Sequence, residues 1–371
     1  MSTTQPQDVL KASDLRQCLE TAMATRVRQY QKVIPFAIRW QGDNTEAERD
    51  TNNFNMILRS LGFPSAVNHI ISTSDKVPGW TLSRKFMDVV GEGVMCDGRA
   101  LVMAHYAGHG MESPSGELLL CGPGNKSIQA SFSLFGTVDD KAQIDSVDVI
   151  FILDCCWSHL ATRSADNRER VTEVVAATSF QDPTANMPGR RVSLTARLSA
   201  AIAKAVGQKY EHIELAELVR DLRAEDTPKK PTHGLLAGTK SIRLKLPGSH
   251  APFALRGSAT LRAYFSMRVH PCVGQSGLNA LADWINRLPP HIIFEIDRVF
   301  ETESQCWVVY ADWALYSKLA GLPGIALICE TKGVDIWNNR HKANQGKQQF
   351  QKEGLRKGDT RKENVRPSTG V

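Results

Sequence analysis

ALVMAHYAGHG (residues 100–110) and VDVIFILDCCWS (residues 147–158) share one plan. Each is a continuous apolar run, the composition of a strand buried on both faces, ended abruptly by small and reactive residues. Working outward, VIPFAIRW (33–40), AVNHIIS (66–72) and TEVVAAT (172–178) are further apolar runs of strand length. Helical periodicity lies between them: roughly 46–61, closed by Gly62 and Pro64, then TLSRKFMDVVGE (81–92), and further helices near 194–206 and 213–224. SIRLKL (241–246) is expected to extend the same layer. Apolar strands alternating with helices predict an α/β domain with a mostly parallel sheet covered on both faces. In such sheets ligands bind beyond the carboxyl ends of the strands. Parallel neighbours would therefore bring His109 and Cys156 out at one edge.

That pairing has a chemistry. A thiol attacks as its thiolate, and a nearby imidazole takes the proton and later returns it to a leaving amine. His109 is flanked by Gly108 and Gly110, which permit a tight turn and close approach of a substrate backbone. Cys156 follows 47 residues later, two beyond Asp154. The backbone N–H groups of Gly110 and Cys156 are candidates for an oxyanion hole.

H-Y-A-G-H-G followed by a buried strand and D-C-C-W-S resembles the metacaspases and fungal caspase-like cysteine peptidases, over roughly residues 33–246. The His–Cys separation also suits caspases, in which the histidine lies about 50 residues upstream. The resemblance implies a caspase-like three-layer sandwich and a cysteine endopeptidase with Cys156, not Cys155, as nucleophile and His109 as base. The animal caspase signature Q-A-C-x-G is absent, which argues against Asp-directed cleavage. The family's acidic S1 pocket carries over to Asp154 and to Asp50 in E-R-D-T-N-N-F, implying protein or peptide substrates cleaved after Arg or Lys. Each carboxylate also has a structural reading: Asp154 bonding turn amides, Asp50 facing the positive end of a helix dipole. No cofactor is required by this chemistry, and protein-held metal is not indicated. Calcium dependence occurs in such families, and Asp139 with Asp140 is the nearby acidic pair. Self-cleavage is expected in the polar stretch after the nucleophile, at Arg163, Arg168 or Arg170. The competing function is an inactive caspase-fold scaffold, suggested by the bulky Trp157 where metacaspases commonly carry His.

A second unit follows the Pro/Gly/Ser-rich seam PGSHAPFALRGS (247–258). Strand 261–269, helix 278–288, strands 291–300 and 306–312, a helix at WALYSKLA and strand 324–329 give a β-α-β-β-α-β order. That order predicts a small α+β ferredoxin-like unit. The organisation is thus an N-terminal helix within 1–32, expected to pack on the domain after it, a peptidase domain at 33–246, the small unit at 259–335 and a tail at 338–371. The tail holds nine Lys/Arg against three Asp/Glu, so it carries the whole net charge of +6. Its composition predicts disorder. Phe350 is the single aromatic among its basic residues and no reading module is recognised, so nucleic acid is not expected as a partner.

Neither a signal peptide nor an apolar run of membrane-spanning length is present, so a cytoplasmic protein without membrane contact is expected. The eight cysteines show no C-x-x-C pair and are expected as reduced thiols. Cys121, Cys155, Cys306 and Cys329 read as small core residues. His159 is expected on a solvated loop, and His105 as a strand histidine with a hydrogen-bond partner.

Overall fold

The structure is a computed structural model that describes residues 11–24, 27–139, 145–162, 170–185, 192–248, 261–269, 280, 283–285, 287–288, 292–300 and 305–332. Residues 1–331 cluster as one compact unit. Arg163, Arg168, Asp140, most of the seam and the basic tail lie outside the described residues.

In chain order the first elements are α1 (Ala12–Met23), β1 (Lys32–Trp40), α2 (Ala47–Ser60), β2 (Val67–Ile71), α3 (Pro78–Val94) and β3 (Ala100–Ala107). Three short strands follow, β4 (His109–Glu112), β5 (Leu118–Cys121) and β6 (Ser127–Gln129), then a wide helical turn over residues 131–135 and α4 (Gly136–Asp139). Next come β7 (Val147–Asp154), β8 (Thr172–Ala176), α5 (Leu194–Gly207), β9 (His212–Glu214), α6 (Leu215–Ala224), β10 (Thr232–Ala237) and β11 (Arg243–Lys245). The last elements are β12 (Leu261–Val269), β13 (Phe294–Phe300), β14 (Gln305–Asp312), α7 (Trp313–Leu319) and β15 (Ile325–Lys332).

The main sheet has the order β10-β8-β7-β3-β1-β2, parallel except for β10. Every residue of β3 and β7 is buried, which is why both read as unbroken apolar runs. Their side chains alternate between two cores. Leu101, Met103, Ile150 and Ile152 join Phe54 of α2, Leu198 of α5 and Val219 of α6. Val102, Tyr106, Phe151 and Leu153 join Phe86 and Val90 of α3 and Leu134. The outcome is the helix-sheet-helix sandwich expected from the strand spacing.

Two local expectations differ. SIRLKL does not extend the main sheet: β11 pairs with β9 in a separate antiparallel ribbon. The edge is taken instead by β10, whose register against β8 runs Thr232↔Ala176 to Ala237↔Thr172. α1 places Lys318 of α7 against its own C-terminal end, where Nζ donates to Ala22 O at 2.9 Å. Leu15 and Leu19 enter the larger core, so this helix also meets the C-terminal elements and not only the domain that follows it.

β12 to β15 form an antiparallel sheet in the order β13-β14-β12-β15, the arrangement of a ferredoxin-like unit. Polar pairs bind it to the peptidase-like region: Arg220 to Asp312 at 3.1 Å, Arg223 to Glu330 at 2.7 Å, and His233 between Ser317 and Glu173. Burial would drive the Glu214 carboxyl up, but Lys318 and Arg243 overcome it and hold the pKa low.

His105 corrects the expectation of a hydrogen-bonded strand histidine. It is buried, stacks on Phe54 at 5.0 Å, and neither ring nitrogen has a partner among the described residues. Burial lowers its pKa to about 3. The unfolded chain takes up a proton below the ordinary histidine value of about 6.5 while the folded chain does not, so this group's contribution to stability falls as pH drops through that window. His105→Leu is expected to gain on the wild type by up to about 2 kcal/mol between pH 7.5 and pH 5. Urea unfolding at both pH values measures this, and parallel losses in the two proteins would show the ring finds a charged-state partner.

Candidate active site

The parallel register pairs Ala107 with Asp154, so β3 and β7 end side by side. Immediately beyond, the chain turns back at Gly108, whose N–H donates to Asp154 O at 3.4 Å. Gly108 has φ +150°, and a Cβ there would fall 2.8 Å from the Tyr106 hydroxyl and 3.1 Å from Asp43 Oδ2. That hydroxyl donates to His109 O at 2.8 Å and fixes the turn. Gly110 faces a tighter limit. A Cβ would lie 2.1 Å from Cys156 O and 3.1 Å from Cys155 Sγ, so the backbones of the two motifs are in direct contact. Both glycines of the histidine motif are thus set by close approach, as their flanking positions suggested.

His109 is exposed at the start of β4, and its Nε2 lies 2.7 Å from Asn44 Oδ1. An amide oxygen only accepts, so Nε2 carries the proton and Nδ1 is the basic nitrogen. Asn44 sits in the loop after β1 that Thr45 ties to Asp43, with Thr45 N to Asp43 Oδ1 at 2.6 Å. Nothing in the sequence around Asn44 marks it, because the contact spans 65 residues.

Cys156 is half-buried, and its Sγ accepts a weak hydrogen bond from Ala185 N at 3.4 Å. Trp157 N donates to Pro183 O at 2.7 Å, so residues 183–185 run alongside the nucleophile motif. Asp182 anchors this segment through Lys229 at 2.6 Å. Trp157 adopts φ +60°, unusual for a bulky residue, and its ring packs against the core 6.0 Å from the His159 ring. Cys155 is fully buried, in accord with a core role, and burial raises its thiol pKa well above the ordinary value.

Asp50 and Asp154 are both fully buried, on α2 and at the end of β7. The start of α5 joins them. Ser193 Oγ, which caps that helix, donates to Asp50 Oδ1 at 2.7 Å, and Thr195 donates from N and Oγ1 to Asp154 Oδ2 at 2.9 Å each. Asp154 therefore does cap backbone amides, but only with one oxygen. Its Oδ1 is buried without a hydrogen-bond partner among the described residues. Burial first, and the Asp50 charge second, push its pKa up to about 7. Ser193 and Thr195 were legible only as a helix start, since their acceptors lie 143 and 41 residues away.

Three expectations are corrected. Arg170, read as an exposed cleavage position, is 3% exposed, because it lies two residues before β8 of the central sheet. His159 is buried rather than solvated: its backbone N–H donates to Thr178 Oγ1, and its Nδ1 lies 3.1 Å from the same oxygen. Cys329 is exposed and Cys121 and Cys306 are half-buried, so they are not core thiols. The seven described cysteines are free. The side chain of Asp139, like Asp140, falls outside the described residues, and no cluster of three or more metal-ligating side chains occurs among those described. No helix among them is long and apolar enough to cross a membrane.

The family model for the caspase domain (Peptidase_C14) matches residues 34–268. Among solved structures the chain is similar to protein GSU0716 from Geobacter sulfurreducens, at 14% identity and a TM-score of 0.39, covering 56% of this chain and 94% of that one. It is also similar to caspase-1 from Spodoptera frugiperda, at 12% identity and a TM-score of 0.39, covering 62% and 99%. No curated protein matches it. The family match runs from β1 into β12, takes in both strand ends that carry His109 and Cys156, and spans more than half of the sequence: the chain belongs to the caspase domain family.

Proposed function

We propose that this protein is a cysteine endopeptidase of the metacaspase type, acting in the cytoplasm on protein or peptide substrates after Arg or Lys. Nδ1 of His109 takes the proton of Cys156 Sγ, and the thiolate attacks the scissile carbonyl carbon. The carbonyl oxygen becomes an oxyanion received by the N–H groups of Gly110 and Cys156. Collapse breaks the C–N bond, and the imidazolium returns its proton to the leaving amine. Water, deprotonated by the same imidazole, then hydrolyses the thioester. No step needs a cofactor.

The observation that carries the basic specificity is the buried oxygen Oδ1 of Asp154, unpartnered beside a second buried carboxylate. Leaving such a group unsatisfied is costly, and a guanidinium or ammonium from a P1 side chain offsets that cost through charge-assisted hydrogen bonds. Self-processing between β7 and β8 is assigned to Arg163 and Arg168, with the buried Arg170 excluded.

Purified protein is to be assayed on fluorogenic peptides with Arg, Lys or Asp at P1, with and without calcium, beside Cys156→Ala. Turnover of Arg or Lys peptides that vanishes in the variant is expected. Turnover of Asp peptides alone would refute the acidic pocket, and no turnover together with no labelling of Cys156 by a thiol-reactive peptide would leave the scaffold reading.

A further inference from the structure

The small sheet β4-β5-β6 has one face in the core and one outside it. Gly110, Leu118, Leu120 and Ile128 are buried, the last three in the core that α3 shares with the main sheet. Successive side chains of a strand alternate, so the register sets out the other face in two rows. His109, Cys121 and Ser127 make the first, and Met111, Leu119 and Gln129 the second. Met111 is 55% exposed, while Leu119 and Cys121 are half-buried. An antiparallel strand with one face outside the core ordinarily alternates apolar and polar residues, yet β5 reads Leu-Leu-Leu-Cys and is apolar on both faces. Neither row contains a carboxylate or an ammonium group.

We propose that this face receives the substrate residues on the C-terminal side of the cut and selects an apolar side chain within the first two of them. The inference rests on the endopeptidase reading above. His109 returns its proton to the leaving amine, so the departing half of the substrate begins at the first row. Met111 stands on the same face of β4 two residues further along, about 7 Å away. β4 also leads away from the nucleophile: its backbone meets the Cys156 carbonyl at Gly110, and Met111 and Glu112 lie beyond. The carboxylates that would hold the P1 cation are on the other side of the main sheet. Asp50 stands on α2 and Asp154 is bonded by Thr195 of α5, helices that pack into one core, whereas Leu118, Leu120 and Ile128 belong to the opposite one. A substrate with its P1 side chain on the α2 and α5 side therefore carries its departing half over β4 and β5. Covering Met111 and Leu119 with an apolar side chain removes apolar surface from water. An aspartate there would lose hydration, find no cation in either row and approach the exposed Glu112.

The test uses the full chain and two kinds of substrate that share one acyl half ending in Arg. A peptidyl-coumarin has no residue after the scissile bond, and internally quenched peptides carry Leu, Ser, Asp or Lys at the first or the second position after it, with Gly at the other. The coumarin substrate is expected to turn over, and kcat/KM for Leu is expected to exceed that for Asp by about tenfold at one of the two positions. Met111→Ala is expected to cut the Leu-to-Ser preference at that position by about threefold or more. Met111→Lys is expected to place Asp above Lys there, a reversal that a merely structural role for Met111 would not produce. Turnover of the coumarin substrate with all quenched peptides within about twofold of one another, or an order of Asp and Lys unmoved by Met111→Lys, would overturn this inference and leave the peptidase intact. No turnover of either kind of substrate would overturn both.

Discussion

His109→Ala is expected to lower kcat/KM on an Arg peptide by about a thousandfold, because the imidazole serves both as the base for the thiol and as the acid for the amine. The ring works only if the correct nitrogen is free, and that is set by Asn44 at 2.7 Å from Nε2. Asn44 is a positioning residue in this reading. Asn44→Ala removes one hydrogen bond of ordinary worth, so a loss of about tenfold is expected, borne by kcat with KM nearly unchanged. Asn44→Asp retains an acceptor oxygen and is expected to recover most of the rate. Equal losses in the alanine and aspartate variants, or a loss seen only in KM, would remove Asn44 from this role. Turnover within a few-fold of wild type for His109→Ala would remove the dyad itself.

Asp154→Asn is expected to reduce kcat/KM for Arg peptides by about a hundredfold, the loss of a charge-assisted hydrogen bond in a water-poor pocket, while preserving or raising thermal stability. The two effects have opposite signs for one reason. Asp154 is forced to share buried space with Asp50, and its pKa rises from 3.8 to about 7. Between those values the folded protein holds a proton that the unfolded chain has lost, so this group's contribution to stability declines as pH rises through the window. The amide variant carries no such burden. A cationic P1 group instead prefers the ionised carboxylate, so kcat/KM on Arg peptides should climb as pH rises through about 7 in the wild type and lose that rise in Asp154→Asn. A variant that loses activity and stability together would mean that Asp154 mainly holds α5 through Thr195.

Much of this architecture is written locally. Val147–Asp154 and Ala100–Ala107 are apolar throughout because both faces of each strand are buried, and that property survives in the sequence without knowledge of any neighbour. So do the chemical groups at their ends: a histidine between glycines and a cysteine after an aspartate can be placed on a sheet edge from periodicity alone. The elements of three and four residues between His109 and Gln129 cannot, since a strand that short contains no full period to recognise.

The tertiary structure decided whatever depends on partners distant in sequence. It placed Asn44 on His109, pressed Gly110 onto the Cys156 carbonyl, and put Ser193 and Thr195 beneath the two carboxylates. It also withdrew Arg170 and His159 from solvent, and it aligned Tyr264 with Tyr310 on one face. Residue type and spacing determine which strands and helices form and what chemistry each end can offer. Which acceptor a donor meets, and which side chain is left unpaired, follows from packing between segments that periodicity does not relate.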